Sequence, residues 1–222
     1  MEGVIGRWST GGGVRVAAVA ALAVVVAAGA ALWSQRNQGG THRASIGPGS
    51  VVLLGDSLTE EGDWDALLPG RPVSNQGYSG FTSAELVPVA EDVAAGRPRL
   101  VLILAGTNDI RDDQPPDWTE ANLSEILDRL EAAGPSTTVI LQTLLPRDDA
   151  RAEVLAANER VVALAEARGL AIIDLHPVFD DGAGGLRPAE TRDGLHLTDA
   201  GYQLWRQALE PVLDAELGPV PD

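Results

Sequence analysis

The chain has 222 residues, 45% of them apolar and 22% charged, which fits one folded domain with a full core plus a short extension. Its formal net charge is −16. So acidic a surface argues against a nucleic-acid partner, which needs a basic face for phosphates, and against tight docking on anionic lipid. There is no cysteine, so disulfides, thiolate metal sites and cysteine nucleophiles are excluded together.

The first predicted element is an uninterrupted apolar run over residues 16–33, rich in Ala and Val, preceded by Arg7 and Arg15 and followed by Arg36 and Arg43. It is long enough to span a bilayer. The favoured reading is an uncleaved signal anchor, because Leu32 and Trp33 carry the run into a membrane interface. A cleaved signal peptide is the alternative, with the small residues Ala28, Ala30 and Ala31 near a cleavage point. Both readings export the rest of the chain, either anchored in the membrane with an extracytoplasmic domain or secreted. Residues 34–50 are polar and glycine-containing and read as a flexible tether. No repeat and no second tether follows, so 51–222 is expected to be one domain.

Within that domain short apolar runs alternate with helical patterns. Val51-Val52-Leu53-Leu54 suits a strand buried on both faces. Pro72-Val73-Ser74 is a short second strand, residues 100–104 (Leu-Val-Leu-Ile-Leu) the clearest strand, and residues 138–141 and 170–173 two more. Helices are expected over 82–95, with Pro88 as a kink or break, over 118–133, over 149–168, and over 198–217 with Thr198 as N-cap. Alternating strands and helices predict an α/β fold with a parallel sheet covered on both faces, and a site at the carboxyl ends of its strands.

Four segments at those strand ends carry chemistry. Gly55-Asp56-Ser57-Leu58 leaves the first strand. A glycine lets the backbone turn tightly, and Ser57 then exposes its hydroxyl at a helix start, where negative charge is favoured. The same residues also make an ordinary N-capped turn. Asn75 through Gly80 follows the second strand, and either Gly77 or Gly80 can present a backbone N–H to an oxyanion. Gly106-Thr107-Asn108-Asp109 ends the clearest strand. The Asn108 amide can donate into a site there, completing an oxyanion hole with the N–H groups of Ser57 and Gly80, while Asp109 reads as a structural acceptor for loop amides. Asp193-Gly194-Leu195-His196 precedes the last helix. A spacing of three lets Asp193 accept the Nδ1–H of His196 and leaves Nε2 to take the Ser57 proton. Of the other histidines, His42 lies in the tether and His176, before Pro177, is expected in extended loop. No His-x-x-x-His spacing exists, so no metal site is expected. Asp112-Asp113 and Asp180-Asp181 read as solvated loop charges without calcium-loop spacing.

The four segments occur in order, each at the end of a predicted element. In this the chain resembles the SGNH, or GDSL-type, hydrolases from about Val51 to Leu213. The stretch from Asp193 to Tyr202 is similar to the branch with platelet-activating-factor acetylhydrolase-like and carbohydrate acetylesterase-like members. The resemblance implies a three-layer α/β/α flavodoxin-like fold with five parallel strands in the order 2-1-3-4-5. It implies Ser57 as nucleophile, His196 as base, Asp193 as its orienter, and Ser57, Gly80 and Asn108 as oxyanion donors, with no cofactor. The weakest match is the second segment, where Gly77 can replace Gly80 and where Tyr78 and Phe81 are bulky. The implied activity is hydrolysis of carboxylic esters, with short acyl (acetyl) esters of extracytoplasmic carbohydrate or small molecules as the leading substrate and a lysophospholipase or thioesterase as the alternative. A tethered binding module that has lost catalysis would lack one of Ser, Asn, Asp or His, and all four are present. The loops after Asn108, residues 111–117, and before Asp193, residues 177–192, are expected to shape the pocket.

Overall fold

The computed structural model describes residues 45–220 apart from 133, 135 and 136. The apolar run at 16–33, most of the tether and His42 lie outside these residues. Among the described residues no helix is long and apolar enough to cross a membrane.

Five strands, β1 (Val51–Gly55), β2 (Val73–Gly77), β3 (Leu100–Leu104), β4 (Thr138–Gln142) and β5 (Ala171–Ile173), form one sheet in the order β2-β1-β3-β4-β5. Every pairing is parallel. The order and the α/β class are those expected. β2 extends further than Pro72-Val73-Ser74 predicted, because Asn75, Gln76 and Gly77 pair in register with Leu53, Leu54 and Gly55. Polar side chains on an outer strand hide it from a hydrophobic pattern.

Handedness distributes the helices. The chain moves outward from β1 to β2, then back across β1 to β3, β4 and β5, and each parallel crossover is right-handed. The connection carrying α1 (Ser57–Glu60) and α2 (Trp64–Leu67) therefore covers one face. The connections carrying α3 (Ser83–Gly96), α4 (Thr107–Arg111), α5 (Pro116–Ala132) and α6 (Arg151–Arg168) cover the other. The short α7 (His176–Phe179) follows β5, and α8 (Asp199–Leu217) closes the first face. Strand residues alternate between these faces. Val51, Leu53, Leu100, Leu102 and Leu104 join Trp205, Leu209 and Leu213 of α8 in one core. Val52, Leu54, Val101 and Ile103 are equally buried on the opposite side.

Two local expectations are corrected. α3 runs unbroken through Pro88, although a proline inside a helix costs about 3 kcal/mol. The buried face of Leu86, Val89, Ala90 and Val93, together with a Thr82–Glu85 capping box, offsets that cost. His176 is not in extended loop but starts α7, with Pro177 in its first turn, where a missing N–H loses nothing. The main helices otherwise fall within a few residues of their predicted bounds, and Thr198 caps α8 by accepting from the Gly201 N–H.

The last residues before β1 are fixed to the domain. Gly47–Ser50 forms a hydrogen-bonded turn, and the Ser50 carbonyl accepts from Arg99 N–H at 2.9 Å. The end of α8 lies at the same edge of the sheet, where Arg71 and Arg99, just ahead of β2 and β3, donate to the carbonyls of Gly218 and Glu216.

Candidate active site

The register of the sheet assembles the site. Gly55 pairs with Gly77 on one side and Leu104 on the other, so three strands end in one row. Ser57 lies two residues beyond that row, Gly80 three and Asn108 four. Ser57 is the first residue of α1, and Asp56 caps that helix by accepting from the Leu58 N–H at 2.9 Å. The turn is also held from below. Tyr202 Oη donates to the Leu58 carbonyl at 2.9 Å and Trp64 Nε1 to the Thr59 carbonyl at 2.8 Å. Trp64 meets Tyr202 and Trp205 edge-on, which joins the serine turn to the helix that follows His196. This aromatic support was not read from the sequence, although Tyr202 lies in the Asp193-to-Tyr202 stretch that carries the resemblance.

His196 comes from the loop ahead of α8. Thr191 and Leu197 pair as an isolated antiparallel bridge, and the His196 carbonyl accepts from Arg192 N–H and from Thr191 Oγ1, each at 2.9 Å. Arg192 forms an ion pair with Glu61, just beyond the serine turn. Inside this closed loop Asp193 Oδ1 accepts from the backbone N–H groups of Leu195 and His196, at 3.0 and 2.7 Å. Its Oδ2 lies 2.8 Å from His196 Nδ1, and His196 Nε2 lies 3.2 Å from Ser57 Oγ. The predicted Asp193, His196 and Ser57 are thus brought into one hydrogen-bonded line across 139 residues of sequence. The hydrogen bonds from His196 and Leu195 hold the Asp193 carboxyl well down, at about 2. It is ionised at neutral pH, and a carboxylate there favours the tautomer with the proton on Nδ1 and a lone pair on Nε2 toward the serine.

The predicted oxyanion donors lie around Ser57. Gly77 is excluded as one of them. It is the last residue of β2, its N–H donates to Asn75 Oδ1 at 2.9 Å, and a Cβ there would lie 2.1 Å from the backbone nitrogen of Glu60. Its glycine serves the close approach of α1 to β2. Gly80 has φ +77°, the left-handed region that favours glycine, and a Cβ there would meet only Arg111 Nη1, at 3.9 Å. Among the described residues the N–H groups of Ser57 and Gly80 have no acceptor. Tyr78 and Phe81, bulky in sequence, stack on each other at 4.9 Å and are buried.

Asn108 is buried, and its Nδ2 donates to the Phe81 carbonyl at 2.9 Å. The other Nδ2 hydrogen meets Asp56 Oδ2 only at 3.5 Å, too long for a full bond. Asp109 is the structural acceptor expected, taking Ser83 N–H at 2.9 Å and Thr119 Oγ1–H at 2.7 Å. Burial pushes the Asp56 carboxyl up to about 7. The Asp180-Asp181 pair is not simply solvated. Each carboxylate accepts two backbone N–H groups of the glycine turn at 182–185, which fixes that loop.

The GDSL-like lipase/acylhydrolase family model matches residues 53–204, well over half of the chain. The chain belongs to this family. It is a GDSL-type hydrolase. Solved structures with the same fold include a GDSL-like lipase from Bacteroides thetaiotaomicron, 24% identical over 85% of this chain and 98% of that one, with a TM-score of 0.69. A Bacteroides fragilis protein described as an acylhydrolase is 25% identical over 75% of this chain and 87% of that one, TM-score 0.68. A carbohydrate esterase family 3 member from Talaromyces cellulolyticus is 21% identical over 77% and 97%, TM-score 0.65. No curated protein matches the chain.

Proposed function

We propose that the protein is a serine esterase in which Ser57 is the nucleophile, His196 the general base and Asp193 the residue that orients it. The observation that carries this is the unbroken line from Asp193 Oδ2 through the imidazole to Ser57 Oγ, with contacts of 2.8 and 3.2 Å. Ser57 Oγ attacks the acyl carbonyl as its proton passes to His196 Nε2, and the imidazolium then protonates the leaving alcohol. Water, deprotonated by the same nitrogen, releases the acid and restores the serine. The oxyanion is held by the N–H groups of Ser57 and Gly80 and by the Asn108 amide, whose loosely held second hydrogen turns from Asp56 to the substrate. None of these steps calls for a cofactor.

The substrate reading is a short acyl group, acetyl above all, on carbohydrate or a small alcohol. A likeness in fold to a carbohydrate esterase supports it, as does a site whose donors sit close against the buried strand ends. The apolar run at 16–33 supports an enzyme attached to the membrane, or secreted, that acts outside the cytoplasm. Protease added to intact cells should then degrade the domain, and recovery of a protected protein in the cytosol would refute export.

Labelling by a fluorophosphonate probe tests the site, and a series of p-nitrophenyl esters tests the acyl group. Wild type should be labelled at Ser57 and Ser57→Ala should not, and turnover should fall as the acyl chain lengthens. Equal labelling of both proteins would sink the nucleophile assignment, while a maximum at long chains would point to the lysophospholipase alternative.

A further inference from the structure

Arg111 ends α4, one turn beyond Asn108, and the mechanism above gives it no role. Its Nη1 donates to Asn108 Oδ1 at 2.8 Å, and its Nη2 lies 3.5 Å from the Gly80 carbonyl oxygen. One guanidinium therefore touches both segments that supply oxyanion donors from outside the serine turn. The guanidinium is itself gripped by Asp112, with Nε to Oδ1 at 2.7 Å and Nη2 to Oδ2 at 3.1 Å.

The Asn108 side chain can be placed in two ways, related by a half-turn of its amide. Arginine can only donate, and the Phe81 carbonyl on the other side can only accept. In the observed orientation each meets its complement. Turned over, the amide would set its NH₂ group against the guanidinium and its oxygen against the Phe81 carbonyl, both repulsive. Arg111 thereby keeps the NH₂ end of Asn108 on the side of Asp56 and Ser57. Its positive charge also draws electrons toward Oδ1 and makes the Nδ2 hydrogens better donors. The contact with Gly80 links the second donor to the same group, and its length makes it the weaker contribution.

We infer that Arg111 is a positioning residue of the oxyanion hole, acting through the Asn108 carboxamide and secondarily through Gly80. This rests on the assignment of Asn108 and Gly80 as oxyanion donors. Its side chain is half exposed, so water screens the charge and the effect is smaller than that of losing a donor outright.

The test is a double-mutant cycle on acetyl ester hydrolysis, with kcat and KM measured for wild type, Arg111→Ala, Asn108→Ala and the double variant. Arg111→Ala should lower kcat by roughly tenfold and move KM by less than about twofold, because the lost alignment matters most in the transition state. In the Asn108→Ala background the same change should cost less than about threefold, since the group it positions is gone. Arg111→Lys, which donates to Asn108 from a single point, should fall between wild type and Arg111→Ala. Added guanidinium ion should restore part of the activity of Arg111→Ala and none of that of Asn108→Ala. A normal kcat for Arg111→Ala, a rise in KM alone, or an undiminished tenfold loss in the Asn108→Ala background would each overturn the inference. If Asn108→Ala itself left kcat unchanged, the donor assignment would fail first and the role of Arg111 with it.

Discussion

Two aspartates sit beside Ser57 and His196, the side chains proposed to react, and the protein treats them in opposite ways. Asp56 precedes Ser57, is buried beneath the serine turn, and has its carboxyl pushed up to about 7 by loss of water. Asp193 lies three residues before His196, has a half-exposed side chain, and is held at about 2 by hydrogen bonds from its own loop. The first belongs to the strand-end half of the site, where backbone register sets every position. The second belongs to a loop closed on itself by Thr191, Arg192 and Leu197. Exposure alone ranks the two correctly but does not take Asp193 below the usual carboxylate range. The exposed carboxylate is firmly charged because two N–H groups and an imidazole point at it, whereas burial holds the other near its midpoint at neutral pH. Local bonds set the charge state beside His196, and burial sets it beside Ser57.

The sharpest way to break that division is at the nucleophile. Ser57→Ala should lower ester turnover on the order of 10⁴-fold or more while leaving the fold intact, since its hydroxyl holds no part of the core. Parallel kinetics and circular dichroism measure this, and an active alanine variant would remove the site altogether. Asp193→Asn should follow, with a loss in kcat on the order of 10³–10⁴ through the wrong imidazole tautomer. Retention of full kcat would mean that another group orients His196. Asn108→Ala should cost roughly 10²–10³ in kcat with little change in KM. A near-normal kcat would return the donor role to backbone N–H groups alone.

The smallest effect sharpens the contrast between the two carboxyls and is read in stability. An unfolded Asp56 ionises near 3.8, whereas the folded one keeps its proton until about 7. Between those values the folded state binds the extra proton, so this group's contribution to stability falls as pH rises through the window and levels off above about 7. Asp193 has the reverse sign. Its contribution is complete above about 3.8 and is lost as pH falls toward about 2. The melting temperature of Asp56→Asn relative to wild type should therefore climb from pH 4 to pH 8, because asparagine keeps the cap to Leu58 and carries no charge. A difference that stays flat with pH would show that Asp56 is ionised throughout.

What was legible in the sequence follows the same division. The central strands β1 and β3 announced themselves because both faces are buried, so Leu100–Leu104 is apolar without interruption. The residues proposed as catalytic stood out because each ends such a run or sits at a spacing of three. β2 was cut short by its polar Asn75 and Gln76, whose partners are reached only through register. The choice between Gly77 and Gly80 needed the backbone, since one has no room for a side chain and the other has a positive φ. Arg111 was legible only as the first residue of the loop 111–117 expected to shape the pocket. It reads as one more charge ahead of Asp112-Asp113, and only the fold brings Gly80 to it. α7 was masked by Pro177, because the rule that a residue before proline is extended yields to a proline in the first turn of a helix.

Parallel strands give the domain a front and a back. The site occupies the carboxyl ends of β1, β2 and β3, while the turn at Gly47–Ser50 and the end of α8 are both fastened at the amino ends, by Arg99 and by Arg71 with Arg99 respectively. Both ends of the domain therefore leave from behind the candidate site and beside one another. A biotin handle, a reporter protein or a solid support attached at either end leaves substrate access unobstructed. The two ends are also close enough for a short linker to join them, so the domain is suited to circular permutation with new termini opened in a loop on the same rear edge.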